Sequence, residues 1–181
     1  KGDLNGDGVV KYIMVIGDPE NPDAQYRTEK SIQAMTDAGV AVECLVENVG
    51  NWDQTKGQEI TAAALAQFGD EIEVVFCNND GMALGAAASI EAAGRKVGED
   101  IYLVGVDAIP EAIELIKNGA MTGTVKQDAN GMAVAICETV KAIAGGKAPV
   151  DALASLSDAR FTVASDCASK LYVAYAPYPG E

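Results

Sequence analysis

The stretch IEVVFCNNDGMALGAAASIEAAG (residues 72–94) decides the fold. Its opening six residues, apolar apart from Glu73, read as a strand buried on both faces. The small residues from Gly81 onward read as a helix that stops at Gly94. A buried strand passing directly into a close-packing helix is the unit of a parallel sheet covered on both sides. The polar triplet Asn78, Asn79, Asp80 then marks the carboxyl end of that strand, the edge at which open α/β sheets take ligands.

The same alternation continues in both directions. Strand patterns are expected at 11–17, 40–46, 101–106 and 121–125, and helices at 23–39, 55–69, 110–118 and 129–146. Gly39, Gly69 and Gly119 end three of these helices, and Pro110 opens one. A last strand is expected within 170–178. The fold class is therefore α/β, a doubly wound, mostly parallel sheet with helices on both faces.

Composition narrows the chemistry. The 181 residues are 49% hydrophobic, enough for a substantial core, and carry a net charge of −14. That surface repels phosphate backbones, so no nucleic-acid partner is expected. There is no histidine, which removes Ser-His-Asp and Cys-His catalysis and most zinc sites. The cysteines at 44, 77, 137 and 167 show no C-x-x-C spacing and read as buried free thiols. No run approaches the ~20 apolar residues of a membrane span, so the chain is not expected to span a membrane, and no signal peptide is visible. No enzyme is expected.

Polar or aromatic groups follow every strand: Asn21, Asp23 and Arg27 after the first, Trp52 after the second, Asn79 after the third, Asp107 after the fourth and Gln127 after the fifth. Taken singly, such residues are turn and cap formers. Taken together, they suit a neutral polyol. Planar carboxylate, amide and guanidinium groups pair with adjacent hydroxyls, and an indole covers the apolar C–H face of a sugar ring.

The segments DLNGDG, GDPENPDAQYRT, NWDQT, IEVVFCNNDGMALGA, GVDAIPEAIELIKNGAMTGTV and DAN follow one another here in the order of the periplasmic galactose/glucose-binding proteins. The chain resembles that family from residue 3 to about 146, and only weakly beyond. These are type I solute-binding proteins of sugar ABC transporters. The resemblance implies one lobe of a two-lobed protein, residues 1–128, with the other lobe mostly missing, so the chain reads as part of a longer protein. Residues 129–181 are then a hinge-crossing helix and tail that would pack on the missing lobe, and the apolar side of that helix (Met132, Ala135, Ile136, Val140, Ile143) is expected to be exposed. The implied role is to bind a galactose- or glucose-like monosaccharide outside the cytoplasm, in a periplasm or as a cell-surface lipoprotein. The implied partner is an ABC permease, with chemotaxis as a second use. The resemblance assigns sugar contacts to Asp23, Arg27, Trp52, Asn79 and Asp107. Asn21 stands where the family has histidine and Gln127 where it has asparagine, so the sugar site is implied without the identity of the sugar.

The segment DLNGDGVVKYIM carries the D-x-N-x-D-G spacing of a calcium loop at residues 1–11. The resemblance implies a structural Ca2+ held by Asp3, Asn5, Asp7, the Val9 carbonyl and a distant Glu73. The EF-hand count puts Lys11 at the ninth position and Met14 at the twelfth. A cationic ammonium there opposes a calcium ion and offers a tethered charge in its place. Two other readings share the fold: a phospho-acceptor domain, for which Asp18 lacks an acidic neighbour, and the effector-binding lobe of a sugar-responsive repressor.

Overall fold

The computed structural model describes residues 2–179; Lys1 and residues 180–181, the ends of the two expected segments, lie outside it. The chain divides into two compact units, residues 2–125 with 177–179, and residues 126–176.

The first unit is built around β1 (Val10–Ile16), whose alternate side chains enter two different cores. Ile13 and Val15 point to one face, and Tyr12 and Met14 to the other. The remaining strands are β2 (Val42–Val49), β3 (Val74–Cys77), β4 (Tyr102–Asp107), β5 (Gly123–Lys126) and, from the chain's end, β8 (Ala176–Pro179). Their order is β2-β1-β3-β4-β5-β8, with β1 parallel to β2 and β3, and β3 parallel to β4. Strand order reverses between β1 and β3, and a doubly wound sheet opens a crevice at that point.

Helix α1 (Pro22–Asp37) covers the Tyr12/Met14 face through Ile32 and Met35. On the opposite face α2 (Gln54–Phe68), α3 (Asp80–Ala92) and α4 (Pro110–Lys117) bury Leu65, Met82, Ile90 and Ile116 over Ile13, Val75 and Leu103. Helices α2 and α3 approach closely because glycines face each other's backbone. A Cβ on Gly85 would lie 2.0 Å from the Gln54 carbonyl, and one on Gly57 would lie 2.4 Å from that of Met82. This arrangement is the expected one, a parallel-dominant sheet with helices on both faces.

Element ends move where caps take residues. The strand expected at 40–46 starts at Val42, because Val40 donates to the Met35 carbonyl and Gly39, at φ +78°, donates to that of Thr36. This pair of bonds closes α1 in a Schellman cap and leaves Val40 outside the strand.

The second unit contains α5 (Ala129–Ala144), α6 (Pro149–Ala154) and the antiparallel pair β6 (Phe161–Val163) and β7 (Leu171–Val173). Arg160 ties it together, donating to Asp158 and to the α5 N-cap Asp128 at 2.8 Å. The strand expected within 170–178 is broken into β7, which pairs antiparallel with β6, and β8, which joins the six-stranded sheet beside β5. Helix α6 and strand β6 were too short to carry a periodic signal. On α5, Ile136, Val140 and Ile143 are exposed as expected, Met132 is half-buried, and Ala135 is buried.

Candidate functional site

Each expected contact residue of the first unit is held by a local backbone requirement. Asn21 caps α1, its side chain accepting from the Asp23 N–H at 2.8 Å. That places Asp23 in the first helical turn and Arg27 one turn further on. Asn79 caps α3 by accepting from Met82 N–H at 2.9 Å, and its amide also donates to the Trp52 carbonyl at 3.3 Å. The indole of Trp52 lies against Gly17, where a Cβ would fall 2.3 Å from the ring. Only glycine at the end of the first strand admits the ring there.

Arg27 is the centre of the group. Its Nη1 donates to the Asn78 carbonyl at 2.8 Å and lies 3.7 Å from Asp107 Oδ1, while Nη2 lies 3.9 Å from Asp23. The guanidinium carbon sits 5.7 Å from the Trp52 ring centroid, within cation–π range. Asn21, Asp23, Arg27, Trp52, Asn79 and Asp107 are thus joined by continuous contacts along one edge of the sheet. Gln127 belongs to the second unit, where its amide donates to the Tyr175 hydroxyl at 2.8 Å.

The backbone is strained at the same edge. Among the described residues, the non-glycine residues with positive φ are Asn51 (50°), Trp52 (66°), Asp107 (129°) and Ala108 (59°). They occupy the ends of β2 and β4. Each such conformation costs on the order of 1–3 kcal/mol and persists only where its surroundings enforce it. For Asp107 and Ala108 the enforcing group is Asp80, which is wholly buried. One of its oxygens accepts from Thr124 Oγ1 at 2.7 Å and the other from the Ile109 N–H at 3.0 Å. Gly105 leaves room for it, since a Cβ there would lie 2.4 Å from Asp80 Oδ1.

Burial pushes Asp107 up to about 6, against the pull of Arg27 and with help from the negative charges of Asp80 and Asp23. Burial also raises Asp80, against its hydrogen bonds from Thr124 and Ile109. Asn78 provides the other support. It is buried, accepts from Gly17 N–H at 3.0 Å, and exchanges bonds with Thr28. Sequence reasoning placed Asn78 and Asp80 at this strand end but, taking Asn79 alone as a sugar contact, gave neither of them a part in the site. Asp80 opens the small-residue helix, and that position was the available signal.

The residues of the expected calcium site do not fit the ion as arranged. Asp3 accepts from the Gly6 and Gly8 amides, Asn5 from Asp7, and Asp7 from Val9. Glu73, 1% exposed, accepts from the backbone amides of Leu4, Asn5 and Lys11. Val9 belongs to the loop and contributes its amide to Asp7. Lys11 Nζ lies 3.4 Å from Asp7 Oδ2 and 3.5 Å from Glu71 Oε2. Among the described residues, no three or more Asp, Glu, Cys or His side chains form a group that could hold a metal ion.

The fold is that of one lobe of an open α/β binding protein, with the candidate contact residues gathered along one edge of its sheet. The periplasmic binding protein domain matches residues 2–148, and the chain belongs to that family. It is 36% identical over 150 residues to the D-galactose/methyl-galactoside binding periplasmic protein MglB of Haemophilus influenzae, covering 82% of this chain and 44% of that protein. It is 32% identical over 136 residues to a D-ribose/D-allose-binding protein of Pseudomonas aeruginosa, covering 75% of this chain and 41% of that one. Among solved structures, a solute binding protein of an ABC transporter from Bacillus halodurans with bound myo-inositol superposes with TM-score 0.75 at 28% identity, covering 98% of this chain and 53% of that one. The chain spans about half the length of the curated relatives it matches.

Proposed function

We propose that this chain is the lobe of an extracytoplasmic receptor that binds a monosaccharide, a galactose- or glucose-like hexose, and delivers it to an ABC permease. The observation that carries the reading is the Arg27-centred edge, where two carboxylates, two amides and one indole gather and where Trp52 and Asp107 hold positive φ. Asp23 and Asp107 flank the guanidinium, an arrangement that pairs with vicinal hydroxyls through both acceptors and donors. Trp52 supplies a face for the ring's C–H groups. The galactose-binding relative and the myo-inositol complex support the choice of a neutral cyclic polyol.

The role is binding without chemistry. The edge pairs no nucleophile with a base, and the chain has no histidine to serve as one. Among the described residues no helix is long and apolar enough to cross a membrane.

Calorimetric titration of the full-length protein with galactose, glucose, allose and myo-inositol tests the reading. At least one of these is expected to bind, and Trp52→Ala and Asp107→Ala each to abolish measurable binding. Near-normal affinity in either variant overturns the site assignment.

A further inference from the structure

We infer that the loop at residues 3–11 is a metal-independent version of a calcium loop, in which the ammonium of Lys11 occupies the role of the cation. This inference does not depend on the sugar reading. The loop keeps the alternation Asp3, Asn5, Asp7 and the turn glycine Gly8. Its side-chain oxygens close the loop on its own amides, through Gly6, Asp7, Gly8 and Val9. What such a loop still requires is a positive charge to offset its carboxylates. Lys11 stands at the ninth loop position, and its Nζ bridges Asp7 at 3.4 Å and Glu71 at 3.5 Å. Its side chain is 20% exposed, and its partners Asp7 and Glu71 are 42% and 60% exposed, so the contact draws the ammonium onto the loop at the surface.

The other two acidic groups are answered by backbone amides, Asp3 by those of Gly6 and Gly8. Glu73 is fully engaged by the backbone amides of Leu4, Asn5 and Lys11, which join the loop to the start of β3. Arg95, whose guanidinium donates to the Gly69, Ile72 and Asp100 carbonyls, adds positive potential near Glu73. A divalent ion at this position would sit beside an ammonium, and the repulsion would have to be overcome by ligands already bonded to amides.

Thermal melting in chelator and in millimolar calcium tests the inference, with Lys11→Gln and Lys11→Arg as variants. The natural protein is expected to shift by less than about 1 °C between the two conditions. Lys11→Gln is expected to melt lower in chelator. It should then regain stability with calcium, by about 5 °C once the ion is a hundredfold above its Kd. Lys11→Arg, which keeps the charge, should remain insensitive to calcium. A natural protein whose melting point rises with calcium as Lys11→Gln does would overturn the inference. So would a Lys11→Gln protein that melts unchanged in chelator or does not respond to calcium.

Discussion

Asp107 is placed where function and stability conflict. Its carboxyl is raised from the ordinary value to about 6, first by burial, and its backbone sits at φ 129°. A group with a raised folded-state value binds more protons folded than unfolded between about pH 4 and 6. Its contribution is therefore favourable below the unfolded value and is lost as pH rises through 6. Asp107→Asn removes a carboxylate that is penalised at neutral pH. The variant is expected to be more stable than the natural chain above pH 6, by about 1–3 kcal/mol, with the gain vanishing by pH 4. Denaturant melts at pH 4 and pH 7.5 check this, and equal stability at both would refute the account. Asp80→Ala should act in the opposite sense. It leaves the Ile109 amide and the Thr124 hydroxyl without their acceptor, costing about 1–3 kcal/mol. It also frees the strained turn, so sugar affinity should fall although Asp80 lies beneath the edge rather than on it.

Among the elements, the contact of α2 with α3 is the least tolerant. Gly85→Val forces side-chain carbon into the Gln54 carbonyl, 2.0 Å from the ideal Cβ position, and backbone cannot yield as a flexible side chain does. A loss above about 3 kcal/mol is expected in urea unfolding. A loss under 1 kcal/mol would show that the helices separate freely. The strength of this packing also explains why the first unit was legible. Five strands and four helices with continuous apolar runs and glycine stops could be read because each element's local pattern agrees with its place in the sheet. The misreadings fall where tertiary contacts decide. Val40 is drawn into the cap of α1, and the expected last strand is divided between the β6–β7 pair and the six-stranded sheet. Helix α6 has six residues and β6 three, too few for a period to show.

For the molecule as a whole, the candidate site was legible as a set rather than as single residues. Asn21 and Asn79 are helix caps, as any Asn before a helix would be, and only their junction with Arg27, Trp52 and Asp107 at one edge makes them candidates for a second role. The strain at Trp52 and Asp107 could not be read, because positive φ leaves no mark on residues that are not glycine. The edge also has a consequence for affinity. Small ligands are held well when most of their surface is buried. Here Asp23 is 58% exposed on its side chain and Asp107 26%, so the six residues of the first unit cover a sugar from one side. The 181-residue chain by itself is therefore expected to bind galactose or glucose with a Kd of roughly millimolar, since a few partly solvated hydrogen bonds and one stacking face scarcely exceed the cost of association. Chemical-shift titration, following the indole N–H of Trp52, reads this directly. Saturation at micromolar sugar would mean that residues beyond this edge close over the ligand, and an indole signal unmoved at tens of millimolar would remove Trp52 from the site.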